Sequence, residues 1–276
     1  MNKIKHYFGS YDMSWKKVIL FSIIVAIYTA LINQVTFLKN TSFRDIAINF
    51  ECWFLFAIFI IVNAKSRKEA CLKCFVFFLI SQPIIYLIEV PFSSEGFAIF
   101  RYYKTWGIWT LLTIPGSLIC YELKRKNLIS VLVLSVVIVY LSYMVPYYLK
   151  SVIYNFPHHL LSTIFCFVLA IFLSYVLFDN KKYTIILIAI FLVCTCAFYI
   201  ISDKKTTVKI KLDEGNWTYK VENDKLCNTT LINNELIIKP LKDGMTYLYL
   251  INDNNITETY LITISAGDVM VNYIEE

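Results

Sequence analysis

Seven apolar runs of about twenty residues constrain this chain more than any other feature, because that is the length a helix needs to cross the hydrocarbon core of a bilayer. They occupy 18–38, 46–63, 71–92, 105–121, 128–148, 160–178 and 183–201. With 58% hydrophobic and only 17% charged residues, the chain carries more apolar surface than a water-soluble domain buries. The expectation is a polytopic α-helical membrane protein whose partner is the lipid bilayer. The first run is too long for a signal-peptide core and no small-residue cleavage site follows it, so it reads as a retained anchor.

The cations are distributed unevenly between the loops. Residues 1–202 hold 18 Lys and Arg against 8 Asp and Glu, whereas 203–276 hold 8 against 12. In the membrane part, thirteen cations fall on one side of the alternating runs: at 3, 5, 16 and 17, at 65, 67, 68 and 73, at 124–126, and at 181 and 182. The other side has five, at 39, 44, 101, 104 and 150. Because short cytoplasmic loops collect Lys and Arg, the N-terminus is expected to be cytoplasmic, and an odd number of spans places the C-terminal region outside. The basic excess is explained by orientation, so nucleic acid is not an expected partner. In the segment 1–17, Ile4, Tyr7, Phe8, Tyr11 and Trp15 recur at helical spacing among lysines, which suits a short helix in the inner interface. The alternative is an aromatic-rich tail that does not fold.

After the membrane part, 18–202, the texture changes to short alternating segments. "TTVKIKL", "WTYKV", "TTLI", "ELIIK", "TYLYLIN", "TETYLITIS" and "VMVNYI" read as seven strands in 203–276. Asn233-Asn234 and Asp253-Asn254-Asn255 tolerate left-handed backbone and suit turns between them. A small all-β sandwich is the natural architecture. In "ELIIKPLKDGMTYLYLINDNNITETYLITI", Gly244 and Thr246 are followed by Leu248 and Leu250, a turn and a last alternating strand. That segment resembles the closing strands of bacterial immunoglobulin-like (Ig-like) domains. The resemblance covers about a tenth of the chain and implies an extracytoplasmic β-sandwich on a bacterial cytoplasmic membrane. It also implies a spacer or docking role towards an envelope protein or glycan, with no catalytic residues.

Polar residues inside the spans are candidates for a site, since they are expensive in hydrocarbon and face a bundle interior or a watery cavity. In "FFLISQPIIYLIEVPF" (77–92), Gln82, Tyr86 and Glu89 share one helix face and Pro83 removes a backbone donor. Asn49 and Glu51 of the second run, and Asn33 and Gln34 of the first, lie at similar depth. Arg44, Arg101 and Lys104 are expected on the same side as partners for Glu89. These residues define a candidate ligand vestibule of Glu51, Gln82, Glu89 and Arg101 opening outward. The competing reading is interhelical hydrogen bonding with interfacial solvation. Tyr102, Tyr103, Trp106 and Trp109 read as an interfacial aromatic belt.

The remaining chemistry-bearing residues point to no cofactor or metal. Cys71 and Cys74 form a C-x-x-C pair without a second pair at zinc spacing. His158 and His159 are adjacent, which is poor spacing for a shared metal on a helix. Ser162, Cys166 and these histidines are the raw material for an intramembrane enzyme, but no spacing favours one. Walker, dinucleotide and metalloprotease motifs are absent. Few small residues in the spans imply little close helix approach. The expected function is therefore an envelope interaction, scaffold or sensory protein. Its alternatives are a small-molecule or ion transporter with an outward-facing vestibule, and an intramembrane enzyme.

Overall fold

The computed structural model describes residues 3–38, 41–154, 156–203, 207–212, 215–252, 257–265 and 268–274. Lys39, the link at 204–206 and the expected turn at 253–255 lie outside them. The described chain is mostly helical and ends in seven strands. It divides into two units, one of residues 1–142 and 164–193, the other of 143–163 and 194–276.

A helix occupies each of the seven apolar runs. After α1 (Lys3–Gly9) come α2 (Trp15–Gln34), the pair α3 (Ser42–Ile48) and α4 (Phe50–Val62), α5 (Arg67–Glu89), α6 (Tyr103–Cys120), α7 (Leu128–Tyr154), α8 (Leu160–Val176) and α9 (Lys181–Asp203). Among the described residues, four helical segments are long and apolar enough to cross a membrane: Trp15–Gln34, Arg67–Phe92, Leu128–Ile153 and Lys181–Ser202. A fifth is reached if the α3–α4 pair, bent by 45°, counts as one span. The apolar α8 is shorter, at 17 residues, and α6 is diluted by Lys104, Gly107, Thr110, Pro115 and Ser117.

Capping chemistry sets the start of α5 four residues before its apolar run. The Ser66 hydroxyl accepts from the Glu69 backbone N–H at 3.2 Å, and the Glu69 carboxylate accepts from the Lys65 N–H at 2.7 Å. The arrangement is a variant of the capping box in which the carboxylate reaches one residue beyond the N-cap. α2 and α5 pack most extensively, and α2 carries a stripe of small residues. Ser22, Ala26 and Ala30 are fully buried at i, i+4 and i+8 on α2, which lets the backbones approach. Around them lie Val25, Trp53, Ile60, Phe77 and Phe78.

One end of this helical unit is tied by cations. Lys5 Nζ donates to the Phe178 carbonyl just past α8, and Lys124 Nζ donates to the Ala64 carbonyl just past α4 at 2.6 Å. Both place a cation just past a helix C-terminus, where it complements the dipole. Arg67 pairs with Glu122 and Lys126 with Asp179 at 2.7 Å. α1 folds and docks through Phe8, whose ring meets Phe59 and Phe172 at 5.3 and 5.4 Å between centroids. The segments near 5, 65, 124 and 179 therefore share one end, while Glu89 closes the far end of α5.

In the second unit the strands form two antiparallel sheets. β1 (Val208–Lys211), β4 (Glu235–Pro240) and β3 (Cys227–Ile232) make one, in that order. β2 (Trp217–Val221), β5 (Gly244–Asn252), β6 (Thr257–Ser265) and β7 (Asp268–Ile274) make the other. One hydrophobic cluster draws on both: Cys227, Leu236 and Ile238 from the first, Leu248, Leu250, Ile262 and Ile264 from the second. Asn233 and Asn234 take φ of 48° and 60° in the β3–β4 hairpin, the left-handed pair that a two-residue turn requires. In the same unit, Lys150 Nζ donates to the Ser202 carbonyl at 2.6 Å, joining α7 to the end of α9. His158 and His159 lie in the turn before α8, not on a helix, with His159 stacked on Tyr148.

Candidate functional site

The α3–α4 pair is broken at Asn49, whose backbone is extended (φ −83°, ψ 160°) and caps α4. A break in an apolar run leaves carbonyls unsatisfied, and in hydrocarbon each must find a donor within the protein. The Ala47 carbonyl finds the Trp53 indole Nε1 at 3.1 Å and the Thr29 hydroxyl at 3.5 Å. The bend is thereby held by side chains from two helices, and it opens a polar cavity of about 300 Å3 beside it.

Five helices supply the walls. Thr29 and Asn33 come from α2, Arg44 and Ile48 from α3, Trp53 from α4, and Trp106 from α6; Gln82, Ile85, Tyr86 and Glu89 form one face of α5. Arg44 Nε donates to Asn33 Oδ1 at 2.7 Å, and Asn33 Nδ2 donates to Glu89 Oε1 at 2.6 Å. A guanidinium is thus linked to a carboxylate through one carboxamide with both of its ends engaged. The link fixes the carboxamide's orientation and gives each charge a hydrogen-bonded partner, as a low-dielectric setting demands.

Gln82 is different. It is only 3% exposed, and its Nε2 has no hydrogen-bond partner among the described residues. Leaving a buried amide donor unpaired costs about 1–3 kcal/mol. An acceptor brought into the cavity recovers that cost, so Gln82 supplies a donor ready for a ligand.

Of the four vestibule residues expected from sequence, Gln82 and Glu89 line the cavity and Glu51 and Arg101 do not. Glu51 is buried in the first turn of α4, two positions before Trp53. Two positions turn a helix through about 200°, so Glu51 faces away from the cavity. It lies within electrostatic reach of Cys52 and of Cys166 on α8. Arg101 sits in the 3-10 segment Gly96–Tyr102, where it donates to Glu95 at 2.7 Å and to the Tyr102 hydroxyl at 2.8 Å. Glu89's cationic partner is Arg44, at one remove through Asn33. Sequence reasoning missed Trp53 as a wall and placed Trp106 in an aromatic belt. The available signal was Asn49 followed by Glu51, a helix start inside an apolar run.

Cys71 and Cys74 are buried and free on α5. Among the described residues, no group of three or more His, Cys, Asp and Glu side chains is gathered as a metal site would require. No protein-family model, curated protein or solved structure matches the chain, and its own side chains carry the functional reading.

Proposed function

We propose that this chain is a seven-pass bacterial cytoplasmic-membrane protein that binds a small polar or amphiphilic ligand in an outward-facing cavity. It presents an Ig-like β-sandwich on the same side, in an envelope interaction or sensory role. The observation that carries the ligand reading is Gln82, a buried and unpaired donor beside the Arg44–Asn33–Glu89 chain.

Orientation rests on the thirteen-to-five cation asymmetry. The gathering of the segments near 5, 65, 124 and 179 at one end supports it, because alternating spans require those segments to share a side. What supports the Ig-like reading is strand order. With β1 taken as strand B, the orders β1-β4-β3 and β2-β5-β6 correspond to the B-E-D and C-F-G orders of an Ig sandwich, and Trp217 falls on strand C. Strand A has no counterpart among the described residues, and β7 is added after G.

A transport role is the second reading. It is favoured by the break at Asn49, since transporters place discontinuous helices beside mid-membrane polar sites.

Thermal unfolding of the full-length protein in detergent tests the ligand reading. It is measured with a water-soluble extract and, separately, with a lipid extract of the host. One extract is expected to raise the Tm of the wild type but not of Gln82→Leu. If neither extract shifts the wild type, or both proteins shift alike, the reading is wrong.

A further inference from the structure

The polar cavity shares two walls with an apolar one. Trp53 and Trp106 line the first and also line a second cavity of about 200 Å3. The second is a groove walled by Phe54, Ala57 and Ile61 of α4 and by Leu112 and Gly116 of α6, with Phe78 of α5 at its base. It exists because α4 and α6 each pack on α5 and touch one another little. From Phe50 to Ile61 it extends for about 16 Å of helix, running from beside the polar cavity towards the basic end of the helical unit. Polar groups in one cavity and an apolar groove beside it are complementary to an amphiphile, not to a water-soluble solute.

We propose that the occupant is a zwitterionic phospholipid of the phosphatidylethanolamine class, with its headgroup in the polar cavity and one acyl chain in the groove. This inference rests on the ligand-cavity reading above. The phosphate oxygens accept from Gln82 Nε2, which has no partner among the described residues, and lie against the Arg44 guanidinium, which suits phosphate. The ammonium group meets Glu89, of which Asn33 engages Oε1. Among the described residues one cation and one anion face the cavity, so a headgroup of zero net charge leaves the site neutral. An anionic headgroup would bring an uncompensated charge into a low-dielectric pocket.

Two glycines of α6 make the test specific. An added Cβ meets nothing within 4 Å at either Gly116, which lines the groove, or Gly107, which does not. Gly116→Leu therefore fills the groove without displacing backbone, and Gly107→Leu makes the same change elsewhere on the helix. The full-length chain is purified in detergent, and retained lipid is measured by native mass spectrometry. Phosphatidylethanolamine, phosphatidylglycerol and a diglycosyl diacylglycerol are added in turn, and helix content is followed by circular dichroism.

Wild type and Gly107→Leu are expected to retain one phosphatidylethanolamine. Gly116→Leu and Gln82→Leu are expected to bind it at least about tenfold more weakly with helix content unchanged, the size of effect that losing one hydrogen bond to a charged group produces. Wild-type-like binding by Gly116→Leu overturns the inference, as does equal binding of either other lipid. Should the water-soluble extract instead stabilise the protein in a Gln82-dependent way while no lipid is retained, the lipid inference falls and the cavity reading stands.

Discussion

Gln82 lies one turn beyond Phe78 and one turn before Tyr86 on α5, with Ser81 buried beside it. Its side chain lines the polar cavity with Asn33, Arg44 and Glu89, and its amide nitrogen has no hydrogen-bond partner among the described residues. Gln82→Leu keeps the volume and removes the unpaired group. It is expected to raise the stability of the ligand-free protein by about 1 kcal/mol, or a few degrees in Tm, while abolishing ligand-dependent stabilisation. A fall in Tm would mean that the amide is already satisfied. In the β region, burial first, and then a 2.8 Å hydrogen bond to Glu258, push the Tyr260 phenol up to about 12. A pKa raised on folding means that the neutral phenol is favoured in the folded state. Its contribution is full below the ordinary value near 10 and is lost as pH rises through about 12. In an ultraviolet titration of wild type against Tyr260→Phe, the missing component should be one of the last tyrosines to ionise. A component near 10 would contradict the assignment.

At the scale of elements, the seven helices were legible because length and hydropathy report directly on what lipid can solvate. The bend between α3 and α4 was not. The run 46–63 is apolar apart from Asn49, Glu51 and Asn63, and its overall hydropathy does not register a 45° change of direction that two side-chain donors stabilise. Trp53→Phe removes the better of those donors and leaves the Ala47 carbonyl with Thr29 at 3.5 Å. It should destabilise the helical unit by about 1–2 kcal/mol in thermal or denaturant unfolding, and an unchanged stability would show that the indole hydrogen bond does not hold the bend. The strands were also legible, through alternation and the Asn233-Asn234 turn, but their distribution between two sheets was not, because long-range pairing leaves no local signature. Gly244, singled out by the Ig-like resemblance, has φ +154°, and an added Cβ would meet Leu226 side-chain carbons at 3.0 Å. Gly244→Ala should therefore destabilise the β region by about 1–3 kcal/mol. A neutral result would mean that Leu226 yields freely.

At the scale of the whole molecule, half of the candidate site was legible in the sequence. Gln82 and Glu89 were found because one helix face carries both, and helical periodicity is a local property. Glu51 and Arg101 were grouped with them by depth alone, which does not determine the face a residue presents or the neighbour it prefers. The wider proposal depends on an orientation argued from the cation asymmetry of the loops: on that proposal, an odd array of spans with its basic ends inward would leave the β region outside. Limited proteolysis of right-side-out cells and of inverted membrane vesicles, read with an antibody against residues 207–274, tests this most directly. The account predicts that the β region is digested in intact cells and protected in inverted vesicles, and the reverse pattern would contradict it.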